Sequence, residues 1–193
     1  MTANTDTETR TAIIITEASR ETVKKTRKRR TASYNKNTPS TASNDDEEVS
    51  ALSGCFGLRS QVFVDEQDVS EDEEWDGLDH ESVHFLLRRN GEDVATARLR
   101  EIDREGVEDC GSEDGRLERM AVAREYRGEG WGGRIVRAVE SYALQMGYRS
   151  IVLNSQDRVK GFYSELGYSR TERESFVEAG IRHVEMAKTL DSG

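Results

Sequence analysis

The chain holds one proline and two cysteines in 193 residues. Two cysteines this far apart, without metal-ligand spacing, make neither a disulfide framework nor a zinc site. Cys55 and Cys110 are therefore expected as free thiols, and no metal is expected. No apolar run approaches the ~18 residues that cross a bilayer, and Ala12–Ile15 is too short for a span or a signal segment. The expectation is a cytoplasmic protein without membrane contact. Lysine is nearly missing from residue 45 onward, where Lys160 and Lys188 stand alone and every other cation is arginine.

What is present is acid. Residues 1–44 carry nine Lys and Arg against four Asp and Glu, while the remainder carries 19 against 34, giving the net charge of −10. An acidic, lysine-poor surface repels itself in dilute buffer and stays hydrated in strong salt, which suggests a salt-loving, archaeal host. The first 43 residues are rich in Thr, Ser and Asn and too poor in apolar side chains to offset the entropy of ordering. They read as a disordered basic tail, with the folded domain spanning 44–193. The cluster Val23–Arg30 is either a nucleic-acid contact or a solvated run of charge.

Asn44 and Glu47 have capping-box spacing, and Val49, Leu52, Phe56, Arg59 and Phe63 follow one helical face. Residues 65–81 are acidic and loop-like. Val83–Arg89 and Val94–Arg100 read as strands joined at Asn90-Gly91, a hairpin signal. After the acidic loop 101–115 come a strand at Leu117–Val122, a glycine loop and a long amphipathic helix with Ile135, Val139, Tyr142 and Met146 on one face. A strand at Ile151–Asn154, a short helix ending at Gly167, and a last strand through Val184 and Met186 complete the order.

The loop Arg127-Gly128-Glu129-Gly130-Trp131-Gly132-Gly133 is the most specific feature. Glycines between a strand and a helix free several backbone N–H groups to converge on an anion, aided by the helix dipole. A nucleoside-triphosphate loop would end in Gly-Lys-Ser/Thr, and here Arg134-Ile135 follow. A dinucleotide fold would want an acidic residue about 20 positions on, where Leu153 stands. What is filled is R-x-x-G-x-G, by Arg127, Gly130 and Gly132.

That loop resembles the pyrophosphate loop of the GNAT acyltransferase superfamily. Phe162-Tyr163 with Gly167-Tyr168 resembles its F-Y-x-x-x-G-F/Y signature. Leu58–Gln67 is similar to the LRxxVFVxEQ segment of the ElaA-type branch. Glu74, Asp76, Asp79 and His84 echo the same branch at E-x-D-x-x-D-x-x-x-x-H spacing, and Gly180–Met186 resembles its closing GIxHxxM strand. The resemblance covers about residues 50–190. It implies an α/β (α+β) fold with a mixed, mostly antiparallel sheet, splayed between its fourth and fifth strands and covered by helices on both faces. The family's first strand has no good match beside the first helix. Thr38–Ser43 is a poor strand sequence and Ala12–Thr16 lies far upstream, so a weak or missing first strand is expected.

The resemblance also implies acetyl-CoA as co-substrate. Its pyrophosphate would lie on Arg127–Gly133 and its pantetheine arm along Met120, Ala121 and Val122, with Asn154 on the facing strand. Tyr163 would protonate the leaving thiolate. Glu118 is the first candidate base, and Glu66, Glu74, His84 and His183 are candidates on the acceptor side. Arg98 reads as structural, salt-bridged to the acidic loop. The expected reaction is direct attack of an amine on the thioester in a ternary complex, with no cysteine in a nucleophile motif. The acidic stretch 65–81 suggests a cationic acceptor such as a polyamine or lysine, although salt-adapted acidity would look the same. A non-catalytic CoA-binding or nucleic-acid-associated module and a nucleotide-dependent oxidoreductase are the alternatives. A homodimer is left open.

Overall fold

The computed structural model describes residues 11–17, 44–102 and 114–191. Cys110, the basic cluster 23–30 and most of the N-terminal segment lie outside them, as do the side chains of Asn44 and Glu47. Among the described residues no helix is long and apolar enough to cross a membrane.

In chain order the elements are β1 (Thr11–Glu17), α1 (Asn44–Arg59) and a π-helical turn at Ser60–Asp65. Then come α2 (Glu71–Glu74), a 3-10 turn at Leu78–Glu81, and the strands β2 (Val83–Arg89), β3 (Glu92–Ile102) and β4 (Asp114–Val122). The C-terminal half holds α3 (Trp131–Gln145), β5 (Ser150–Gln156), α4 (Lys160–Glu165), β6 (Ser169–Arg170), β7 (Phe176–Glu178) and β8 (Ile181–Thr189). The sheet runs β1-β2-β3-β4-β5-β8-β6, with β7 also on β8. Every pairing is antiparallel except β4 with β5. This is the GNAT fold implied by the motifs.

Alternation along the strands sorts the two faces. Phe85, Ala97, Leu99, Leu117, Ile151 and Leu153 point to one side, where they close over Ile135, Val136 and Val139 of α3. Leu86 points the other way into a smaller cluster with Ala51, Leu52, Cys55 and Phe56 of α1. Asn90 and Gly91 both have positive φ, so the β2–β3 hairpin closes through the two-residue turn that its sequence favours.

Three expectations need correction. The first strand is neither weak nor missing. Thr11–Glu17 pairs with Val83–Arg89 along its full length, so the sheet extends upstream of Asn44. A run of β-branched residues suits an edge strand. Ile14 packs on the α1 cluster, while Ile13 and Ile15 face outward. The segment 65–81 is not a plain loop but two short helical turns, the first capped by the Ser70 hydroxyl, which accepts from Glu73 N–H. And β3 and β4 run further than expected, over Glu92–Ile102 and Asp114–Val122, because the pairs Arg100↔Arg116, Glu101↔Gly115 and Ile102↔Asp114 extend their ladder.

Candidate active site

β4 and β5 are in register only from Asp114↔Ser150 to Leu117↔Leu153. Beyond that they part, and Glu118 and Asn154 are the first residues past the fork. One residue further, β4 carries a bulge. Thr96 and Arg98 are two apart on β3 but face Ala121 and Glu118, three apart on β4. Arg119 absorbs the extra residue at φ +50, a left-handed conformation that costs a non-glycine residue about 1–2 kcal/mol. Its guanidinium offsets this by pairing with Glu74 and Asp76 at 3.0 and 3.1 Å. Past the bulge, Ala123 N–H donates to Val94 C=O at 2.9 Å. Alternation then turns the N–H and C=O of Val122 away from β3, onto the open edge of the fork.

At the mouth of the fork Arg127 is extended, Gly128 and Gly130 have φ of +82 and +83, and Gly130 caps α3 without any side-chain hydrogen bond. The first N–H groups of α3 therefore have no capping side chain. A Cβ at Gly128 or Gly130 would meet nothing within 4 Å, so the loop's outer surface is open. Gly132 differs, because a Cβ there would come within 3.2 Å of both Met120 and Phe162. A side chain there would push Met120 and Phe162 aside by a few tenths of an ångström, so glycine suits the close approach of α3 to β4 and α4. Trp131, placed with the loop on sequence, buries its ring in the core, its indole N–H donating to Glu129 at 3.1 Å. Its contribution to a ligand is limited to backbone. The Arg127 side chain donates from Nε to Val122 C=O at 3.0 Å and pairs with Glu66 at 2.8 Å. Glu66 is thus brought to the loop.

Tyr163 on α4 is 8% exposed and packs edge-on against Phe162 and Tyr168. Burial pushes its phenol well above the usual range, so it stays protonated at any physiological pH. Asn154 accepts from Arg116 at 3.3 Å. It lies within β5, two residues before its end.

The acidic motif has a different place from the one its composition suggests. Glu74 is 2% exposed and sits between Arg59 at 2.5 Å and Arg119. Asp79 bridges Arg59 and Arg98 at 2.5 and 3.1 Å. Arg98, fully buried, takes Asp76 at 2.6 Å and Glu118 at 2.8 Å as well. The Arg59 guanidinium lies over the rings of both Phe56 and Trp75, which meet each other edge-on. Charges so buried must be paired, and the lattice clamps residues 71–82 onto the sheet. Glu74 is therefore not a substrate-facing carboxylate, and the argument for a cationic acceptor loses Glu74, Asp76 and Asp79. The structural reading of Arg98 agrees with these pairs.

His84 is likewise withdrawn from solvent. Its Nε2 lies 2.8 Å from Asp79 C=O, and burial lowers its pKa to about 4, so the ring is neutral. A group with no exposure cannot meet an acceptor directly. His183 is stacked on Phe176, with Nδ1 2.8 Å from Ile181 C=O. Glu118 has burial pushing its pKa up, but the Arg98 and Arg100 guanidiniums outweigh this and hold it below the ordinary value. Cys55 is buried and desolvation raises its thiol to about 12, which leaves it inert as a nucleophile.

Sequence reasoning missed Arg119 as a lattice member, the Gln156-to-Gln67 hydrogen bond of 2.7 Å, and the group formed by Arg116, Asn154 and Glu185. The available signal was charge at alternate positions of strands whose other face is apolar: Arg98 and Arg100, Arg116 and Glu118.

A sheet forked at its one parallel pairing, with an uncapped glycine-led helix at the fork's mouth, is the architecture of an acyltransferase. The profile described as "Acetyltransferase (GNAT) domain" matches residues 46–190, and the chain belongs to that family. The uncharacterized N-acetyltransferase YjcF of Bacillus subtilis is 35% identical over 137 residues, covering 71% of this chain and 91% of that protein. The crystal structure of Escherichia coli ElaA superposes with a TM-score of 0.59 at 27% identity, over 72% of this chain and 90% of that one. An acyl-CoA N-acyltransferase from Pseudomonas aeruginosa gives 0.60 at 25% identity, over 74% and 90%. The protein is an acyltransferase.

Proposed function

We propose that the chain transfers the acetyl group of acetyl-CoA to an amine by direct attack in a ternary complex. The observation that carries this reading is the fork itself. Past Leu117 and Leu153 the open edge of β4 has N–H and C=O groups without a strand partner, and a pantetheine arm has amides to pair with them. The pyrophosphate would lie on the N–H groups at the start of α3, where Gly128 and Gly130 leave room. Arg127 would exchange Glu66 or Val122 C=O for phosphate oxygens. The N–H of Val122 faces the fork and would donate to the thioester oxygen as negative charge develops there.

Tyr163 would give its proton to the departing thiolate. Glu118 stands at the fork with a carboxylate held ionised by two guanidiniums. That suits it to accept a hydrogen bond from the acceptor and orient it, and makes it a weak base; the ammonium proton would leave through water. Inert Cys55 fits a mechanism without an acyl-enzyme. A cytoplasmic location and a salt-rich host belong to the same reading. The latter requires the melting temperature to rise in molar KCl.

The test is an amine panel with acetyl-CoA and a free-thiol readout, with mass spectrometry of the product. Thiol release that depends on the amine, with a 42 Da increment on it (the mass of an acetyl group replacing hydrogen), supports the reading. Tight binding of NAD with none of acetyl-CoA would overturn it.

A further inference from the structure

We infer that the acceptor carries a carboxylate as well as its amine, and that Arg116, with Arg100, reads that carboxylate on the sheet face below the fork. The inference rests on the amine-acetylating reading above and names its substrate class. Three arginines of this face, Arg59, Arg98 and Arg119, are balanced by Glu74, Asp76 and Asp79. Outside that lattice the described residues of the face carry Arg100, Arg116 and Arg173 against Asp114, Glu118 and Glu185, and Glu118 is shared with Arg98. Acid and base are thus equal in number among the described residues here, whereas residues 45–193 hold 34 acidic against 19 basic side chains. A face less acidic than its surroundings is the better place for an anion.

The positive charge outside the lattice is concentrated on two side chains. Arg100 and Arg116 are direct cross-strand partners, so two like charges stand about 4.5–5.5 Å apart at Cβ, an arrangement that is unfavourable unless an anion lies between them. Their existing contacts are long. Arg100 reaches Glu118 at 3.3 and 3.5 Å, and Arg116 has Asn154 at 3.3 Å and Glu185 at 3.8 Å. Arg59 and Arg98, by contrast, hold carboxylates at 2.5 and 2.6 Å. Both remain reachable, with side chains 26% and 19% exposed. Guanidinium forks match a carboxylate bidentately. Arg116 precedes Glu118 by two residues, roughly 7 Å along the strand. A carboxylate held there would lie a few methylenes from an amine at the fork, the reach of an ω-amino acid.

The experiment compares 5-aminopentanoate, pentylamine and 1,5-diaminopentane as acceptors at saturating acetyl-CoA. The expected order of kcat/KM is amino acid, neutral amine, diamine, with the amino acid at least about tenfold ahead of pentylamine, the usual worth of a charged hydrogen bond. Arg116→Gln should collapse that ratio through KM, and Arg116→Lys should restore part of it. On the unaltered chain, pentanoate should compete with the acceptor and not with acetyl-CoA, a readout that needs no variant to fold. Preference for the diamine, or a ratio that survives Arg116→Gln, overturns the inference alone, since pentylamine turnover would leave the amine reading intact. If calorimetry shows acetyl-CoA bound and no amine of any kind is acetylated, the amine reading fails and this inference with it.

Discussion

Replacing Arg98 with Met tests whether the buried charge lattice holds the fold. The side chain is fully buried, with Asp76 at 2.6 Å, Glu118 at 2.8 Å and Asp79 at 3.1 Å. Met fills a similar volume and supplies no charge, so three carboxylates lose a shared guanidinium. Asp79 keeps Arg59, Asp76 keeps Arg119 and Glu118 keeps Arg100, so none is stranded outright. Breaking a buried pair from one side costs about 3–5 kcal/mol, and the remaining partners place the expectation near 3. For a domain of this size that lowers Tm by roughly 6–12 °C. Urea is the suitable denaturant, because guanidinium salts would screen the charges being measured. The midpoint should drop at constant slope, and Asp79→Asn added to Arg98→Met should recover part of the loss. A loss below about 1 kcal/mol, or a more stable variant, would refute the claim that these ion pairs clamp residues 71–82 to the sheet.

His84 gives stability an acid limb. Burial holds its folded pKa at about 4 against the ordinary 6.5, so the folded chain refuses a proton that the unfolded chain takes. Its contribution is therefore complete above pH 6.5 and lost as pH falls toward 4, by about 2 kcal/mol at pH 5; a urea midpoint unchanged between pH 7.5 and 5, or unaffected by His84→Gln, contradicts this. Gly130→Val should weaken acetyl-CoA binding by calorimetry at least about tenfold while circular dichroism is retained, since it adds a side chain to the open loop and strains a φ of +83; equal affinity removes the loop from the binding site. Tyr163→Phe keeps the ring and should lower kcat toward the low end of the ~10²–10⁴ range of general acid catalysis with little change in acetyl-CoA affinity; unchanged kcat returns Tyr163 to packing. Removing residues 1–17 should cost roughly 1–3 kcal/mol, the worth of one half-buried Ile and an edge-strand ladder; a chain beginning at Asn44 with its full melting temperature would show β1 to be dispensable.

The fold was legible where pattern and turn chemistry agreed. The Asn90-Gly91 hairpin and the α3 periodicity behind Gly130 were readable in that way, while the fork between the fourth and fifth strands followed only from the resemblance of the motifs. β1 was not, because 26 residues separate Glu17 from Asn44 and nothing in a short β-branched run says where it docks; only the unfilled edge of β2 decides. The bulge at Arg119 left no trace in composition, since any residue can be forced into it by the pairs on either side. The acidic motif misled for a physical reason. Glu74, Asp76 and Asp79 look solvated in a row of charges, and the arginines that bury them come from positions 59, 98 and 119. Long-range neutralisation is invisible locally, so Glu74, read as substrate-facing, is instead buried in the lattice, and the Arg116–Glu185 group passed as ordinary strand surface.

The scarcity of lysine has a chemical side. Acetyl thioesters acylate exposed, uncharged amines without any enzyme, and a protein that holds one at its surface is its own nearest target. From residue 45 on, this chain offers two amines. Lys160 pairs with Asp157 at 2.8 Å and Lys188 with Glu140 at 2.9 Å, so each amine is held against a carboxylate. Everywhere else positive charge is carried by guanidinium, which stays protonated above pH 12 and is a poor nucleophile toward thioesters. The domain is thus built from cations that an acyl thioester does not modify, and prolonged incubation with acetyl-CoA should leave its mass unchanged from Asp45 onward.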